Sequence, residues 1–261
     1  MAENNPTQPA SGTLPLGHPH PPLVAENDPA IVVERLSLRS SNAAVPAYAA
    51  WPSHAGNLLG SVVVVMHVWG VDTSIRDCVR RLAKAGFAAI APDLYARFNA
   101  PSGDGATDFT LFRPYAQRLE QDVWLSDVRA AAQWLQTKFP GTKTAITGFC
   151  MGGRLALTAA AEEGRRFTVV APFYGDPKPI DPSTIHIPVC GSYGGRDAGI
   201  PAQSVLAFAA ALTVPNDLRI YDDAGHAFFD DQRASYVAPA AEDAWRRLLA
   251  CFEKYLSAEN P

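Results

Sequence analysis

The sequence predicts an α/β fold with a mostly parallel central sheet, helices on both faces and an antiparallel hairpin at its N-terminal side. Short apolar, β-branched runs alternate with amphipathic helical segments from residue 61 to residue 256, and several of these runs are continuously apolar. A strand covered by helices on both faces requires such a run. The 261 residues, 48% of them hydrophobic, are enough to bury one large core.

The first elements are a hairpin, a buried strand and a helix. Residues 31–40 and 45–52 alternate apolar and polar side chains around a Ser-Ser-Asn turn, which predicts two antiparallel strands. Residues 61–67, SVVVVMH, predict a strand buried on both faces. Residues 73–85 predict a helix with one apolar face, a Thr or Ser N-cap and a C-terminal Gly86.

The later elements continue the alternation of strand and helix that a parallel sheet requires. Further strands are predicted at 87–92, 142–148, 167–174, 186–194 and 217–222, and further helices at 119–139, 151–161, 202–212 and 241–256. No internal repeat interrupts this order, so one domain accounts for all of these elements.

The chain divides into a tail over 1–29 and a single domain over 30–261. The tail is rich in Pro, Asn, Ser and Gly, a composition that buries too little apolar surface to offset its ordering entropy, so we expect it to be flexible. His18 and His20 in this tail lack further metal-ligand partners, and a solvated turn is the favoured interpretation over a metal site.

Composition argues against several functional classes. The net charge is −4 and no Lys or Arg cluster recurs, so neither nucleic acid nor an acidic membrane surface is an expected partner. No apolar run approaches the roughly 20 residues that span a bilayer, and no secretory signal is present. We therefore expect a cytoplasmic monomer that acts on a small molecule.

The four cysteines are widely spaced and include no C-x-x-C pair. This predicts neither a zinc site nor a disulfide framework, and reduced thiols are the expectation. Cys78, Cys190 and Cys251 are interpreted as buried small hydrophobic residues. Cys150 requires a different explanation.

Cys150 lies between Gly148 and Gly152, where a predicted strand runs directly into a predicted helix. A G-x-C-x-G corner matches the nucleophile elbow with Cys in place of Ser, in which the glycines avoid collisions in a tight, strained turn. At a helix N-terminus, free N–H groups favour a thiolate, and the N–H of Met151 is placed to donate a hydrogen bond to an oxyanion. A close-packed turn around a structural cysteine is the competing interpretation.

A nucleophilic cysteine needs a base and a carboxylate that orients the base, and in this kind of fold the chain order is nucleophile, acid, histidine. His226 follows the last predicted strand in a glycine-containing loop and is favoured as the base over His186, which begins a strand. Asp197, in the loop after the strand containing Cys190, is favoured as the acid over Asp176.

Several separated motifs then resemble the dienelactone hydrolase family, from about residue 31 to the C-terminus. They are Gly148-Phe-Cys-Met-Gly-Gly153, Gly195-Arg-Asp197, Gly225-His-Ala-Phe228, Ile75-Arg-Asp77, Arg80-Arg-Leu-Ala-Lys-Ala-Gly-Phe87 and Ala91-Pro-Asp-Leu-Tyr-Ala-Arg97. The resemblance implies an α/β-hydrolase fold and a cysteine hydrolase of enol lactones or related esters that uses neither metal nor cofactor.

The resemblance also implies roles for individual residues. The catalytic triad of the family matches Cys150, Asp197 and His226. Its oxyanion hole matches the backbone N–H groups of Met151 and Val68. Its substrate-carboxylate arginine matches Arg97, for which a surface cation is the alternative.

Two departures from the family pattern concern the substrate. His67 stands where the family has a glutamate. One interpretation is that Cys150 is ionised in a different way from the family, and the alternative is that His67 is a packed residue at a strand end. Past His226, the acidic Asp230 and Asp231 come before Arg233, and a dianionic lactone is disfavoured if the acids face the site. Aromatic residues are expected to line an apolar pocket or to be ordinary core, namely Trp69, Tyr95, Phe98, Phe149 and Phe173.

Two other functions remain open. One is a broad carboxylesterase or thioesterase that does not use a dienelactone. The other is a catalytically weak member that binds a small molecule or senses oxidation through Cys150, because a thiol at a helix N-terminus is also open to peroxide.

Overall fold

The computed structural model describes residues 23–257 except 42, 55, 57 and 107. Its centre is an eight-stranded sheet in the order β1-β2-β4-β3-β5-β6-β7-β8. The strands are β1 Ile31–Ser40, β2 Ala43–Pro52, β3 Gly60–Val65, β4 Phe87–Pro92, β5 Thr144–Phe149, β6 Val169–Phe173, β7 Val189–Gly194 and β8 Asn216–Tyr221. Only β1 with β2 and β2 with β4 pair antiparallel, so the predicted hairpin and the mostly parallel sheet are confirmed.

Six α-helices connect and cover the strands. They are α1 Thr73–Lys84, α2 Arg113–Ala116, α3 Gln121–Lys138, α4 Met151–Glu163, α5 Ala202–Ala211 and α6 Ala238–Leu256. The first and last of these helices lie side by side. The Arg81 guanidinium of α1 lies 4.2 Å from the centre of the Trp245 ring in α6. The covered strands β3, β4 and β5 are buried along their full length, as their continuous apolar runs predict.

The first helix begins at Thr73, and its N-cap lies one residue before the predicted one. The N-cap is Asp72, whose carboxylate accepts hydrogen bonds from the backbone N–H groups of Ser74 and Ile75, so the predicted Thr or Ser cap is wrong. Gly86 has φ +101°, the left-handed conformation expected just after a helix C-terminus.

The last residues of the predicted tail are attached to the domain. Val24 is buried, its N–H donates to Asp77 at 2.9 Å, and its carbonyl accepts from Arg80. The prediction of a flexible tail therefore does not hold as far as residue 29, because the apolar side chain of Val24 reaches the core. His18 and His20 lie outside the described residues.

Cys190 of β7 and Cys251 of α6 form a disulfide bond. The prediction that both are free hydrophobic thiols is wrong, because two residues separated by 61 positions in the chain meet where α6 packs against the sheet. Cys78 is free and buried, as predicted, and its burial raises the pKa of the thiol to about 12. Reduced thiols were one reason to expect a cytoplasmic protein. The disulfide withdraws that reason, since such bonds are typical of oxidising compartments.

Candidate active site

Cys150 occupies a strained corner between β5 and α4. Its φ is +55°, an uncommon conformation for a side-chain-bearing residue. A Cβ added at Gly148 would lie 2.2 Å from the carbonyl oxygen of Gly152, and one at Gly152 would lie 2.3 Å from that of Val65. The two glycines therefore let the helix start against the sheet, as the sequence predicts, and the thiol is left partly exposed.

His226 and Asp197 meet Cys150 in a line of contacts. His226 Nε2 lies 3.0 Å from Cys150 Sγ, and His226 Nδ1 lies 2.6 Å from Asp197 Oδ2. The other carboxylate oxygen of Asp197 accepts the backbone N–H groups of Gly199 and Ile200 at 2.9 and 3.1 Å. The acid is thereby fixed in its loop and orients the imidazole.

The alternatives weighed from the sequence lie elsewhere in the fold. Asp176 accepts the backbone N–H of Lys178 at 3.0 Å in a local turn, and the side chain of His186 is exposed. Neither makes a described contact with Cys150. The three residues favoured from the sequence are therefore the ones that the fold brings together, because they follow the carboxyl ends of β5, β7 and β8, which lie at one edge of the parallel part of the sheet.

Electrostatics favour a thiolate–imidazolium pair in the resting site. Burial acts to raise the pKa of Cys150, but the hydrogen bond and charge of His226 and the N–H of Met151 outweigh it and lower that pKa. Burial acts to lower the pKa of His226, yet hydrogen bonds to Asp197 and Cys150 raise it to about 10. The pKa of Asp197 is lowered by the same contact with His226, against the effect of burial.

The two residues matched to an oxyanion hole are joined by a tyrosine. Met151 is the first residue of α4, and Val68 lies in the turn after β3 where the N–H of Gly70 donates to His67. Tyr95, just after β4, donates its hydroxyl to the carbonyl of Val68 at 2.9 Å and approaches Met151 Sδ at 3.8 Å. The sequence suggested Tyr95 only as a pocket aromatic, whereas here it holds the turn that carries Val68.

His67 is buried in a charged network that the sequence did not reveal. Its Nε2 lies 2.9 Å from Asp72, and its Nδ1 lies 3.6 Å from Asp230. Arg233 reaches Asp72 at 2.8 Å and Asp230 at 3.3 Å, and its guanidinium covers the ring of Trp69 at 3.9 Å. Asp230, the first acid after the base, is therefore paired inside the protein, and Asp231 beside it is buried.

Arg97 is held by a buried carboxylate. Its guanidinium binds both oxygens of Asp127, at 2.6 and 2.8 Å, and Asp127 is fully buried in α3. No described contact brings Arg97 to the triad, so the predicted role in binding a substrate carboxylate finds no support in these contacts. Such a role would require the guanidinium to leave Asp127.

The predicted pocket aromatics divide into core and cleft. Phe149 is buried and packs against Phe173 and Phe229, with ring centroids 4.8 and 5.3 Å apart, so its side chain belongs to the core. Trp69 and Tyr95 instead line a cleft of about 400 Å³ beside the turn that carries Val68. Asp93 is the acid in its lining, and the lining contains no basic side chain.

The described residues contain no group of three or more His, Cys, Asp or Glu side chains arranged to hold a metal ion. Among the same residues, no helix is long and apolar enough to cross a membrane.

Comparison with known proteins points to one family. The model of the dienelactone hydrolase family matches residues 45–256. A protein of Escherichia coli (strain K12), named "Putative carboxymethylenebutenolidase", is 37% identical over 261 aligned residues, which cover 94% of this chain and 96% of that protein. A protein of Saccharolobus solfataricus with the same name is 30% identical over 248 residues, covering 80% of this chain and 93% of that protein.

Solved structures agree with this assignment. The crystal structure titled "Putative Dienelactone Hydrolase" from Klebsiella pneumoniae subsp. pneumoniae MGH 78578 has a TM-score of 0.78 and 34% identity, covering 87% of this chain and all of that one. The dienelactone hydrolase from Anabaena variabilis, with a TM-score of 0.68 and 20% identity, shares the fold. The chain belongs to the dienelactone hydrolase family, whose members are hydrolases of ester or lactone bonds.

Proposed function

We propose that the protein is a cysteine-dependent hydrolase that cleaves a carboxylic ester or lactone through an acyl-enzyme on Cys150. The observation that supports this most directly is the unbroken line of contacts from Cys150 through His226 to Asp197. A merely structural cysteine at a strand–helix corner needs neither a base at hydrogen-bond distance nor a carboxylate behind that base.

Acylation starts from the thiolate–imidazolium pair. Cys150 Sγ attacks the carbonyl carbon, and the N–H groups of Met151 and Val68 stabilise the oxyanion of the tetrahedral intermediate. His226 then gives its Nε2 proton to the leaving oxygen as the carbon–oxygen bond breaks. The products are a thioester on Cys150 and an alcohol, which stays attached to the acyl group when the substrate is a lactone.

Deacylation reverses these roles. Neutral His226 takes a proton from water, whose oxygen attacks the thioester carbonyl, and the same N–H groups hold the second oxyanion. Collapse of that intermediate expels the Cys150 thiolate and leaves the carboxylic acid product. Asp197 keeps its negative charge throughout and stabilises the imidazolium of His226.

The substrate of this proposal does not need a carboxylate. Arg97 is occupied by Asp127, and the cleft next to Val68 is lined by Trp69, Tyr95 and the acidic Asp93. No triad residue lines this cleft, but if the substrate extends into it, a carboxylate gains nothing there, whereas an uncharged ester buries apolar surface. A broad carboxylesterase or thioesterase is therefore the second candidate, and a dienelactone remains the first substrate to test because of the family.

The test compares steady-state hydrolysis of a dienelactone and of p-nitrophenyl acetate by the wild type and by Cys150→Ala. We expect Cys150→Ala to abolish turnover of whichever ester is cleaved, and His186→Gln, a change at an exposed histidine, to leave it unchanged. Acid quenching of the wild type should leave an acetyl group on the peptide that contains Cys150. Undiminished hydrolysis by Cys150→Ala would refute the proposal.

Two outcomes separate the candidates. Faster turnover of the lactone supports the dienelactone hydrolase activity, and turnover of the aryl ester alone supports the broad esterase. Rapid alkylation of Cys150 with no turnover of any ester would instead support a thiol that binds or senses, the third function left open by the sequence.

A further inference from the structure

His67 lies beside the nucleophile without belonging to the proposed triad. In the parallel pairing of β3 with β5, Val65 is opposite Gly148. His67 follows Val65 by two residues and Cys150 follows Gly148 by two, so both residues lie just past the ends of two neighbouring strands at the same edge of the sheet. The first turn of α4 packs directly on this end of β3, since Gly152 approaches the carbonyls of Val65 and Met66.

The immediate surroundings of His67 carry an excess of negative charge. Asp72, at the N-cap of α1, and Asp230, in the loop after β8, both approach the ring, and both are buried. Arg233 contacts both carboxylates and supplies one positive charge. Two carboxylates face one guanidinium, and with both acids ionised a proton on both nitrogens of His67 makes this buried group neutral.

The next layer of charges on α1 does not alter that balance. Asp77, Cys78 and Arg81 line a small cavity together with His67. Burial raises the pKa of Asp77, whose carboxylate meets the buried guanidinium of Arg80 at 3.3 Å. Burial keeps the thiol of Cys78 protonated, because it raises the pKa to about 12.

The remaining titratable groups of that cavity come from two other segments. Asp231, beside Asp230, lines the same cavity as Arg81, so the second layer holds two acids, Asp77 and Asp231, and two arginines, Arg80 and Arg81. Tyr174, just after β6, is buried, and its burial raises the pKa of the phenol well above the ordinary value. No group in this layer supplies the missing positive charge near Asp72 and Asp230.

We propose that His67 is a positioning residue that is held as a buried imidazolium by Asp72 and Asp230, and that its fixed charge keeps Cys150 ionised. This inference rests on the proposed function, because it assigns a role in the activation of that nucleophile. Burial acts to lower the pKa of His67, but Asp72 and Asp230 raise it, and the charge of His67 is among the causes that lower the pKa of Cys150. A second cation preserves the thiolate when His226 gives up its proton in each catalytic cycle.

The experiment measures the pH dependence of alkylation of Cys150 by iodoacetamide in the full-length protein. Cys190 and Cys251 are in a disulfide and Cys78 is buried and protonated, so the alkylation rate follows the thiolate of Cys150. We expect His67→Gln to move the midpoint upward by about one pH unit, which is a fall of about tenfold in thiolate below the midpoint. The exposed-site control His186→Gln should leave the midpoint unchanged.

Asp72→Asn provides a second variant that keeps the fold, because asparagine is as good an N-cap as aspartate. If Asp72 holds His67 as an imidazolium, this change favours the neutral ring and the midpoint of Cys150 rises. If His67 is neutral in the wild type, the change merely removes a negative charge near the thiol, and the midpoint falls or stays. A fall or no change in Asp72→Asn overturns the inference.

The readout also separates this inference from the proposed function. Ester hydrolysis that survives Cys150→Ala overturns the function, whereas the midpoint reports the ionisation of the thiol whether or not an ester is cleaved. An unshifted midpoint in both variants, with turnover that depends on Cys150, overturns only the role of His67. A steric role alone would change kcat without moving the midpoint.

Discussion

Replacing Gly152 by alanine tests whether the corner that carries Cys150 is as crowded as the structure implies. The added Cβ would lie 2.3 Å from the carbonyl oxygen of Val65 and 2.5 Å from that of Met66. The first distance falls about 1.1 Å short of ordinary contact, which begins at 3.4 Å. Both obstacles are buried backbone atoms, one on the last residue of β3 and one on the residue after it, so the first turn of α4 has to move instead.

The displacement has two measurable costs. Overpacking of this kind costs about 1–3 kcal/mol of unfolding free energy, which urea denaturation followed by circular dichroism would detect. The same movement shifts the N–H of Met151, and a misplacement of about 1 Å costs on the order of 10²-fold in kcat. We therefore expect Gly152→Ala to lower kcat for ester hydrolysis by about 10²-fold while the protein still folds, with an unfolding free energy lower by about 1–3 kcal/mol.

Gly164, at the other end of α4, supplies the matched control. A Cβ there has a single neighbour, 3.9 Å away on Ile187, and the residue has helical φ of −49°. Gly164→Ala should therefore keep wild-type kcat and stability to within about 0.5 kcal/mol. Wild-type kcat and stability in Gly152→Ala would refute the account of the corner.

Three further changes test other parts of the structure. Arg97→Ala should lower the unfolding free energy by about 1–3 kcal/mol, because it leaves the carboxylate of Asp127 buried without its partner. The same change should leave KM for p-nitrophenyl acetate unchanged. A changed KM with wild-type stability would restore the predicted role of Arg97 in binding substrate. Asp197→Asn should be less stable than the wild type above the unfolded-state pKa of about 3.9, and this difference should disappear as the pH falls through the depressed pKa of Asp197. Reductant should cost the wild type about 2–4 kcal/mol and have no effect on Cys190→Ala/Cys251→Ala, since the bond closes a loop of 61 residues; equal sensitivity of both proteins would exclude the disulfide.

Prediction from the sequence succeeds where the signal is local. The predicted and observed bounds of β4 agree, and α4 starts at its predicted residue. Both elements are marked by a few consecutive residues, an apolar run for β4 and a glycine-flanked turn for α4. The short helix α2 and the 3₁₀ turn before it, Phe109–Leu111, were missed because three or four residues carry no periodicity. The N-cap of α1 was misplaced by a residue, since Asp, Thr and Ser are all good caps.

The candidate site residues also divide into those with a local sequence signal and those without one. Cys150, Asp197 and His226 were found because each comes directly after a strand, and the carboxyl ends of parallel strands share one edge of the sheet. The resemblance to the family predicts a substrate role for Arg97, but nothing local indicates its pairing with Asp127, which is 30 positions away. Phe149 was proposed for a pocket, but only the packing of β6 and the loop after β8 decides that its ring is core.

The sequence by itself determined the order of strands and helices, the family and the three residues that meet at the sheet edge, because these depend on local pattern and on strand order. Only the tertiary structure decided which charges neutralise one another. It placed Arg233 between Asp72 and Asp230, buried His67 beside them, and joined distant cysteines. Pairings of that kind depend on distances across the folded core, which neighbouring residues in the chain do not encode.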